Sequence, residues 1–444
     1  MTTFIRMTPS LLLIVGLALT DVAFATRSLT MNRGMGGITS MRNVTGKDRA
    51  RLNTFQNTTA LFGVVPAVNQ DVAYTVQVLI GNQSYNLIVD TGSGNTWIGA
   101  GKPYHPSSTS IRDGRAVSVT YGSGTFSGVQ YNDTIVLGNL TASDQSISVA
   151  TQAQGFEGYD GILGLGPATL TAGTLAGTNA LIPTVMQTLK SQGSIEQNVL
   201  GVYFQPLVGS NVTELNGELS LGGPDPSRYT GNITFTNVTS NYPYSLYWGI
   251  DIDTITYDGD NNKTILTNAA PAIIDTVGTE SPLSNSPLTP QIKGTTLTYI
   301  PTATMNAFLA VSDGRIDPDT NLPAFQTKPS SNITFIISGT SLTLSPDQYL
   351  VSQEQYPLFG LNQTFFYAWF GDGGASGTVN FIIGQKFLEH FDAQYSVYDT
   401  TNSRVGFAPA FPKGTKRKFE AGTAISATSS AHKDEIISRQ VRIS

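Results

Sequence analysis

Two short segments of the chain place an aspartate at the end of an apolar run. These are Leu87–Thr91 (LIVDT) and Ala272–Thr276 (AIIDT). A carboxylate at the end of a buried strand stands where the chain leaves the sheet, and a pair of such groups can exchange protons with a bound reactant. Asp90 and Asp275 are therefore the candidate catalytic residues.

The residues after each aspartate are candidates for orienting its carboxylate and donating hydrogen bonds to it. Gly92 lets the chain turn sharply and exposes backbone N–H groups to the carboxylate, and Ser93 can donate a hydrogen bond that favours its ionised form. Thr91 and Thr276 follow the two aspartates directly. One Asp-Thr-Gly alone is equally consistent with an ordinary turn.

Composition excludes several other kinds of hydrolase. The chain has no cysteine and three histidines, and it lacks HExxH and GxSxG motifs. Thiol nucleophiles, thiolate zinc sites and disulfides are thereby excluded, and serine or zinc hydrolysis is poorly supported. Carboxylates remain as the groups available for hydrolysis.

Short β-prone runs dominate the chain, which predicts an all-β, β-rich protein. Tyr74–Ile80 and Tyr85–Val89 predict a hairpin with a turn of four residues. Each Asp-Thr segment is followed later by an apolar run ending in glycine, at Ile162–Gly164 and Ile382–Gly384. The simplest architecture is two similar lobes that each contribute one aspartate, joined near Thr234–Asn241.

Taken together, these segments resemble the pepsin-like aspartic proteases, most closely the cysteine-free, secreted fungal enzymes of the polyporopepsin type. The resemblance covers about residues 61–412 and lies in five motifs that occur in the family's order. The motifs are DTGSGNTW (Asp90–Trp97), VTYGSGTFSG (Val119–Gly128), DGILGLG (Asp160–Gly166), FIIG (Phe381–Gly384) and the closing strands between Tyr395 and Ala408.

The resemblance implies a bilobal fold with a cleft between two β lobes, and a water-activating Asp90/Asp275 dyad that forms no covalent intermediate. It makes Tyr121 the tyrosine of a flap over the substrate, hydrogen-bonded to Trp97. Gly122 and Ser123 would offer backbone contacts to the peptide. It also implies a polypeptide substrate with apolar side chains at the cut, no metal or organic cofactor, and a monomer.

The start of the chain has the pattern of a secretory signal, which predicts an extracellular protein. Arg6 precedes the apolar run Leu11–Leu19, which is too short to span a membrane, and Ala23–Ala25 fits the cleavage rule. A short membrane anchor is the alternative. Secretion makes the nine N-x-[ST] sequons between residues 67 and 412 candidate glycosylation sites; they are at Asn82, Asn132, Asn139, Asn211, Asn232, Asn237, Asn262, Asn332 and Asn362.

Charge divides the chain into basic ends and an acidic body. Residues 67–412 hold 11 Lys and Arg against 26 Asp and Glu, which excludes nucleic-acid binding and limits positive charge in acid. The basic segment 26–66 is interpreted as a propeptide that covers this body, with a linker as the alternative. The predicted organisation is a signal peptide (1–25), this propeptide, two lobes (67–238 and 239–412) and a polar tail (413–444).

The second aspartate departs from the family pattern. Asp275-Thr276 is followed by Val277, and Gly294-Thr295 appears only after the 17 residues Val277–Lys293. Removing that segment restores Asp-Thr-Gly-Thr without a gap. We interpret it as a retained intron. Its 17 codons make 51 nucleotides, a common length for fungal introns. Valine codons begin with GT, the splice-donor dinucleotide, and one lysine codon ends in AG, the splice-acceptor dinucleotide.

Two other interpretations of this segment remain open. It is a genuine insertion that forms a lid or a dead site, or Gly278-Thr279 replaces the missing pair one residue late. Three other functions also remain: a catalytically inactive peptide-binding protein of the same fold, a carbohydrate-active enzyme that uses two carboxylates, and a structural cell-surface glycoprotein.

Overall fold

The structure is a computed structural model that describes residues 27–34, 73–121, 124–138, 140–206, 213–258, 263–277, 296–375, 379–390, 395–400 and 402–409. The predicted signal peptide, most of the predicted propeptide and the tail 413–444 lie outside these residues. So do four predicted site residues, Gly122, Ser123, Gly294 and Thr295.

Strands are the main element, and the all-β prediction is confirmed. The strands before residue 240 are β1 Arg27–Gly34, β2 Ala73–Ile80, β3 Gln83–Asp90, β4 Trp97–Ile98, β5 Ile111–Thr120, β6 Thr125–Leu137, β7 Leu140–Gln154, β8 Gly161–Gly164, β9 Val199–Tyr203, β10 Thr213–Leu221 and β11 Thr234–Asn237.

The later strands are β12 Gly249–Ile252, β13 Thr254–Asp258, β14 Lys263–Leu266, β15 Ala270–Ile274, β16 Thr298–Ile300, β17 Arg315–Ile316, β18 Pro323–Phe325, β19 Asn332–Ile337, β20 Thr340–Leu344, β21 Phe366–Tyr367, β22 Phe370–Asp372, β23 Ile382–Ile383, β24 Tyr395–Asp399 and β25 Arg404–Ala408.

Short helices lie between the strands. They are α1 Val185–Ser191, α2 Thr302–Ser312, α3 Pro346–Tyr349, α4 Tyr356–Phe359 and α5 Gln385–His390, with single 3₁₀ turns at Ala168–Thr171, Tyr244–Leu246 and Gln353–Gln355. Among the described residues no helix has the length and hydropathy of a membrane span.

The first hairpin shows how the sequence pattern becomes structure. Alternation along β2 leaves Gln77 and Leu79 exposed while their neighbours are buried, as expected for a half-buried strand. The turn is shorter than predicted. Ile80 pairs with Gln83, so only Gly81 and Asn82 connect the strands, and the prediction of four turn residues is wrong. Gly81 has φ +57°, a conformation that glycine adopts at little cost.

Four sheets are formed by the described strands. The first has 13 strands in the order β11-β25-β24-β9-β10-β1-β2-β3-β8-β4-β7-β6-β5. The others have the orders β12-β15-β23-β16-β22, β14-β13-β19-β20 and β17-β18-β21. Asp90 ends a strand of the first sheet, and Asp275 directly follows β15 of the second.

The large sheet does not stop at the predicted lobe boundary. The closing strand β24 pairs with β9 over five residues, and β25 pairs with β11. Strands from the last part of the chain are thereby hydrogen-bonded to strands that precede residue 238. The boundary itself stays a prediction.

Strand β1 lies inside the large sheet, although it belongs to the predicted propeptide. It pairs antiparallel with β10 from Arg27↔Leu221 to Gly34↔Thr213, and its last three residues also pair with β2. Both of its edges are therefore used in hydrogen bonding.

Candidate active site

Asp90 lies at the end of a strand whose last four residues are all buried. Strand β3 runs parallel to β8, with Asp90 opposite Gly164, and the Leu165 N–H donates to the Asp90 main-chain oxygen at 2.7 Å. A Cβ on Gly164 would lie 2.6 Å from the Asn95 carbonyl oxygen. Glycine at this position therefore lets the loop after Asp90 fold back against β8.

The Asp90 carboxylate accepts two hydrogen bonds from its own loop. The Gly92 N–H donates to Oδ1 at 2.7 Å, and Ser93 Oγ–H donates to Oδ2 at 2.5 Å. Only 1% of the Asp90 surface is exposed. Because a buried carboxylate costs free energy unless it is hydrogen-bonded, these two donors stabilise its ionised form.

Asp275 has an equivalent setting in the second sheet. Strand β15 runs parallel to β23, and the Asp275 N–H donates to the Ile383 oxygen at 3.0 Å. The Val277 N–H donates to Asp275 Oδ1 at 3.3 Å. This is the bond that Gly92 makes to Asp90, but it is longer. Asp275 is fully buried.

The two threonines join the aspartate loops across 185 residues of sequence. The Thr91 N–H donates to Thr276 Oγ1 at 3.1 Å, and the Thr276 N–H donates to Thr91 Oγ1 at the same distance. Each hydroxyl then donates to a carbonyl of the other strand, Thr91 to Ile274 and Thr276 to Val89. The arrangement is two-fold and brings together the residues that directly follow Asp90 and Asp275.

Strand pairing shows how many residues longer the second aspartate loop is than the first. Trp97 pairs with Ile162, two residues before Gly164, and Tyr299 pairs with Ile382, two residues before Gly384. The two pairings are equivalent, yet Trp97 comes 7 residues after Asp90 and Tyr299 comes 24 after Asp275. The excess is 17 residues, the length of Val277–Lys293.

Tyr121 lies at the tip end of the β5–β6 hairpin, where its N–H donates to the Gly124 oxygen at 2.7 Å. It belongs to a buried cluster of the described residues that we call the flap cluster. Its members are Ala73, Ile88, Trp97, Val117, Tyr121, Phe126, Phe156, Tyr159, Ile162, Leu175, Ile182 and Val277.

Within the flap cluster Trp97 is held by ring packing. It stacks on Phe126 at 4.3 Å between ring centroids, meets Phe156 edge-on at 4.7 Å, and lies 6.2 Å from Tyr121. The expected Tyr121–Trp97 hydrogen bond is not made, because the buried Trp97 Nε1 has no hydrogen-bond partner among the described residues. The two rings are neighbours through packing alone.

Val277 is the unexpected member of the flap cluster. It occupies the position that Gly92 has in the first loop, but it carries a side chain, which is 1% exposed. An isopropyl group therefore lies in the same cluster as the flap tyrosine. Sequence comparison of the two loops signals this, since valine replaces glycine directly after Asp-Thr.

No group of three or more acidic or histidine side chains is arranged to hold a metal ion in the part of the chain that the structure describes. The two aspartate loops themselves supply carboxylates, hydroxyls and main-chain amides.

Comparison with known proteins gives one consistent result. The family model described as eukaryotic aspartyl protease matches residues 73–410. Polyporopepsin from Irpex lacteus is 42% identical over 354 residues, which cover 78% of this chain and 96% of the relative. Human gastricsin is 29% identical over 367 residues, covering 78% and 83%.

A crystal structure of an aspartic proteinase from Irpex lacteus has the same fold. The TM-score is 0.69 at 36% identity, and the match covers 88% of this chain and all of that one. Together with the strand-end aspartates and the hairpin of Tyr121, these matches show that the chain belongs to the pepsin-like aspartic proteases, a family of endopeptidases.

Proposed function

We propose that this protein is a secreted endopeptidase that hydrolyses polypeptides in acid through Asp90 and Asp275. The observation that carries the proposal is the reciprocal pair of hydrogen bonds between Thr91 and Thr276. It fixes the loops that bear the two carboxylates to each other, as a catalytic pair that shares one proton requires.

The mechanism follows from two carboxylates in contact. Like charges about 3 Å apart do not both ionise readily, so the pair shares one proton, as aspartic-protease dyads generally do. The ionised carboxylate removes a proton from a bound water while the protonated one donates to the scissile carbonyl oxygen. Water attacks to give a tetrahedral diol, and no acyl-enzyme forms. The acid and base roles belong to the pair.

Two buried acids outside the site affect the stability of the fold in opposite directions as pH falls. Burial alone would raise the pKa of Asp133, but hydrogen bonds from three hydroxyl groups hold it below its ordinary value; the donors are Thr109, Tyr104 and Ser110. Because its folded-state pKa is lowered, the stabilisation from Asp133 is present above the unfolded pKa and is lost as pH falls through the folded pKa, so Asp133 does not favour folding in acid. Burial raises the pKa of Glu218, despite its ion pair with Arg228. Glu218 therefore favours folding more as pH falls.

The substrate is proposed to bind extended beneath the hairpin that carries Tyr121. The flap cluster includes side chains of this hairpin. By the family resemblance, the side chains flanking the cut are expected to be apolar. Burial of such a side chain contributes roughly 1.5–3 kcal/mol of binding free energy.

Residues 26–66 are proposed to be a propeptide that follows a signal peptide. The pairing of β1 with both β10 and β2 supports a bound segment. Secretion is supported by the sequons: Asn82, Asn232, Asn237 and Asn362 are exposed, and Asn132 and Asn332 are partly exposed. Asn139, Asn211 and Asn262 lie outside the described residues.

The retained-intron hypothesis for Val277–Lys293 is supported by the 17-residue excess between equivalent strand pairings. Removing the segment gives both aspartate loops the same length and returns a glycine to the place of Val277. The alternative function is a catalytically inactive, peptide-binding protein, supported by the apolar side chain of Val277 in the flap cluster.

The deciding experiment compares cleavage of an acid-denatured protein by three purified forms: the full chain, the chain without 277–293, and that deletion with Asp90→Asn. Pepstatin, which mimics the tetrahedral diol, is added to each. We expect pepstatin-sensitive cleavage by the deletion form and none after Asp90→Asn. Asp347→Asn is the matched control, since that aspartate is 82% exposed and forms a surface ion pair with Lys328.

Absence of cleavage by a well-folded deletion form that still binds pepstatin would favour the peptide-binding alternative. Separately, the mature transcript should lack the codons of Val277–Lys293. Finding them in all of the message would sink the intron hypothesis.

A further inference from the structure

Trp248 lies at the base of the second aspartate loop. It directly precedes β12, which pairs with β15 from Gly249↔Ile273 onward. The Trp248 carbonyl oxygen accepts the N–H of Ile274 at 3.0 Å. The main chain of Trp248 therefore supports the residue that immediately precedes Asp275.

The indole of Trp248 is hydrogen-bonded to Leu165, the residue whose N–H binds the main chain of Asp90. Trp248 Nε1–H donates to the Leu165 oxygen at 3.3 Å, and the Leu165 N–H donates to the Asp90 main-chain oxygen. One buried residue, 3% exposed, thus links the two segments, with its carbonyl bonded to Ile274 and its indole bonded to Leu165.

Two further contacts hold Trp248 in this place. Thr169 Oγ1 donates to the Leu246 oxygen at 3.0 Å, so the segment before Trp248 meets the segment after Leu165 a second time. Its indole packs on Tyr398 of β24 at 5.4 Å between ring centroids. The ring therefore contacts β24 in addition to its bond to Leu165, which follows β8.

This link differs from the threonine pair. The threonines join the two loops at the residues next to the aspartates, whereas Trp248 joins the strands beneath them. Two loops joined at two separate places are held more firmly than two loops joined at one place, because they can still rotate about a single connection.

We propose that Trp248 is a positioning residue that fixes the separation of Asp90 and Asp275 from below the site. The proposal rests on the dyad proposed above. Nothing in the sequence pattern predicts it, because a tryptophan before an apolar strand is usually a core residue.

Trp248→Phe tests the inference, since it keeps an aromatic ring and removes the N–H donor together with part of the indole's volume. Tyr349→Phe is the control: it removes the hydroxyl that donates to the Ser331 oxygen at 2.9 Å, and Ser331 lies outside both aspartate loops. The full chain is labelled with ¹³C at the aspartate carboxyls, and the two signals lost in Asp90→Asn and Asp275→Asn are followed by NMR against pH.

Carboxylates that separate interact less, so the two titration midpoints of the pair should move toward each other in Trp248→Phe, by about half a pH unit or more. In a form that cleaves substrate, kcat should fall about ten-fold while KM stays the same. Tyr349→Phe should change neither.

Unchanged midpoints in a folded Trp248→Phe protein would overturn the inference and leave the dyad intact. Equal changes in Trp248→Phe and Tyr349→Phe would overturn it too, because they would mark a general effect on stability. Two independent titrations in the unsubstituted chain would instead overturn the dyad, and the inference with it.

Discussion

The two aspartate loops are built alike up to their second residue and differ from the third. Both follow a strand that runs parallel to a partner, and both use a threonine to bond the opposite loop. The first continues with Gly92 and reaches the equivalent paired residue, Trp97, after 7 residues, while the second continues with Val277 and reaches Tyr299 after 24. The loops are thus equivalent where they bond each other, and the equivalence ends at Gly92 and Val277.

The largest expected effect comes from the feature that both loops share. Asp90→Asn and Asp275→Asn should each reduce kcat by at least ~1,000-fold in the form that lacks 277–293, because one neutral amide cannot replace a carboxylate in a pair that exchanges one proton. Cleavage of a peptide substrate in acid gives the rates. A loss at only one aspartate would show that the two loops are not functional equivalents.

The next effect tests where the loops diverge. Restoring glycine by Val277→Gly in the full chain should recover part of the activity of the deletion form, because it removes the side chain but leaves the extra residues. The unsubstituted full chain should be at least ~100-fold less active than the deletion form, since displacement of a catalytic group by 1 Å already has this cost.

The readout for Val277→Gly is pepstatin-sensitive cleavage by the three forms at equal concentration. Val277→Ala is the control for side-chain size, and its activity should lie between that of the unsubstituted full chain and that of Val277→Gly. A full chain as active as the deletion form would show that the longer loop is compatible with catalysis.

The threonine pair should show equal and moderate effects on stability. Thr91→Val and Thr276→Val each remove one hydroxyl that accepts an N–H and donates to a carbonyl. Each should reduce the free energy of unfolding by about 3 kcal/mol, because a buried donor and a buried acceptor lose their partner. Urea denaturation measures this. If one substitution lowers the free energy of unfolding far more than the other, the two threonines do not contribute equally to stability.

The smallest expected effect comes from the Ser93 hydroxyl of the first loop and concerns the pH dependence of kcat/KM. Ser93→Ala removes the 2.5 Å hydrogen bond to Asp90, and a hydrogen bond to the ionised carboxylate favours that form. Without it the carboxylate binds its proton more readily, so the acid limb of kcat/KM should move to higher pH by about one unit. Ser110→Ala, which removes a hydroxyl from Asp133 instead, should leave the limb in place.

Local signals in the sequence predicted the fold class and the residues around Asp90, because a buried strand followed by Asp-Thr-Gly-Ser leaves few conformations. They did not predict contacts between distant segments. The place of β1 in the sheet, the pairing of β24 with β9 and the link through Trp248 all depend on tertiary packing. The Tyr121–Trp97 bond, which the family resemblance implied, is replaced by ring packing.

The separation of 185 residues between Thr91 and Thr276 also has a consequence for timing during synthesis. A ribosome adds about 5–20 residues per second, so the first aspartate loop waits roughly 10–40 s for its partner. Strand β24, which completes the pairing of β9, emerges later still. The growing polypeptide is therefore expected to remain without proteolytic activity until nearly all of it has been made, and it does not endanger its own unfolded segments at that stage.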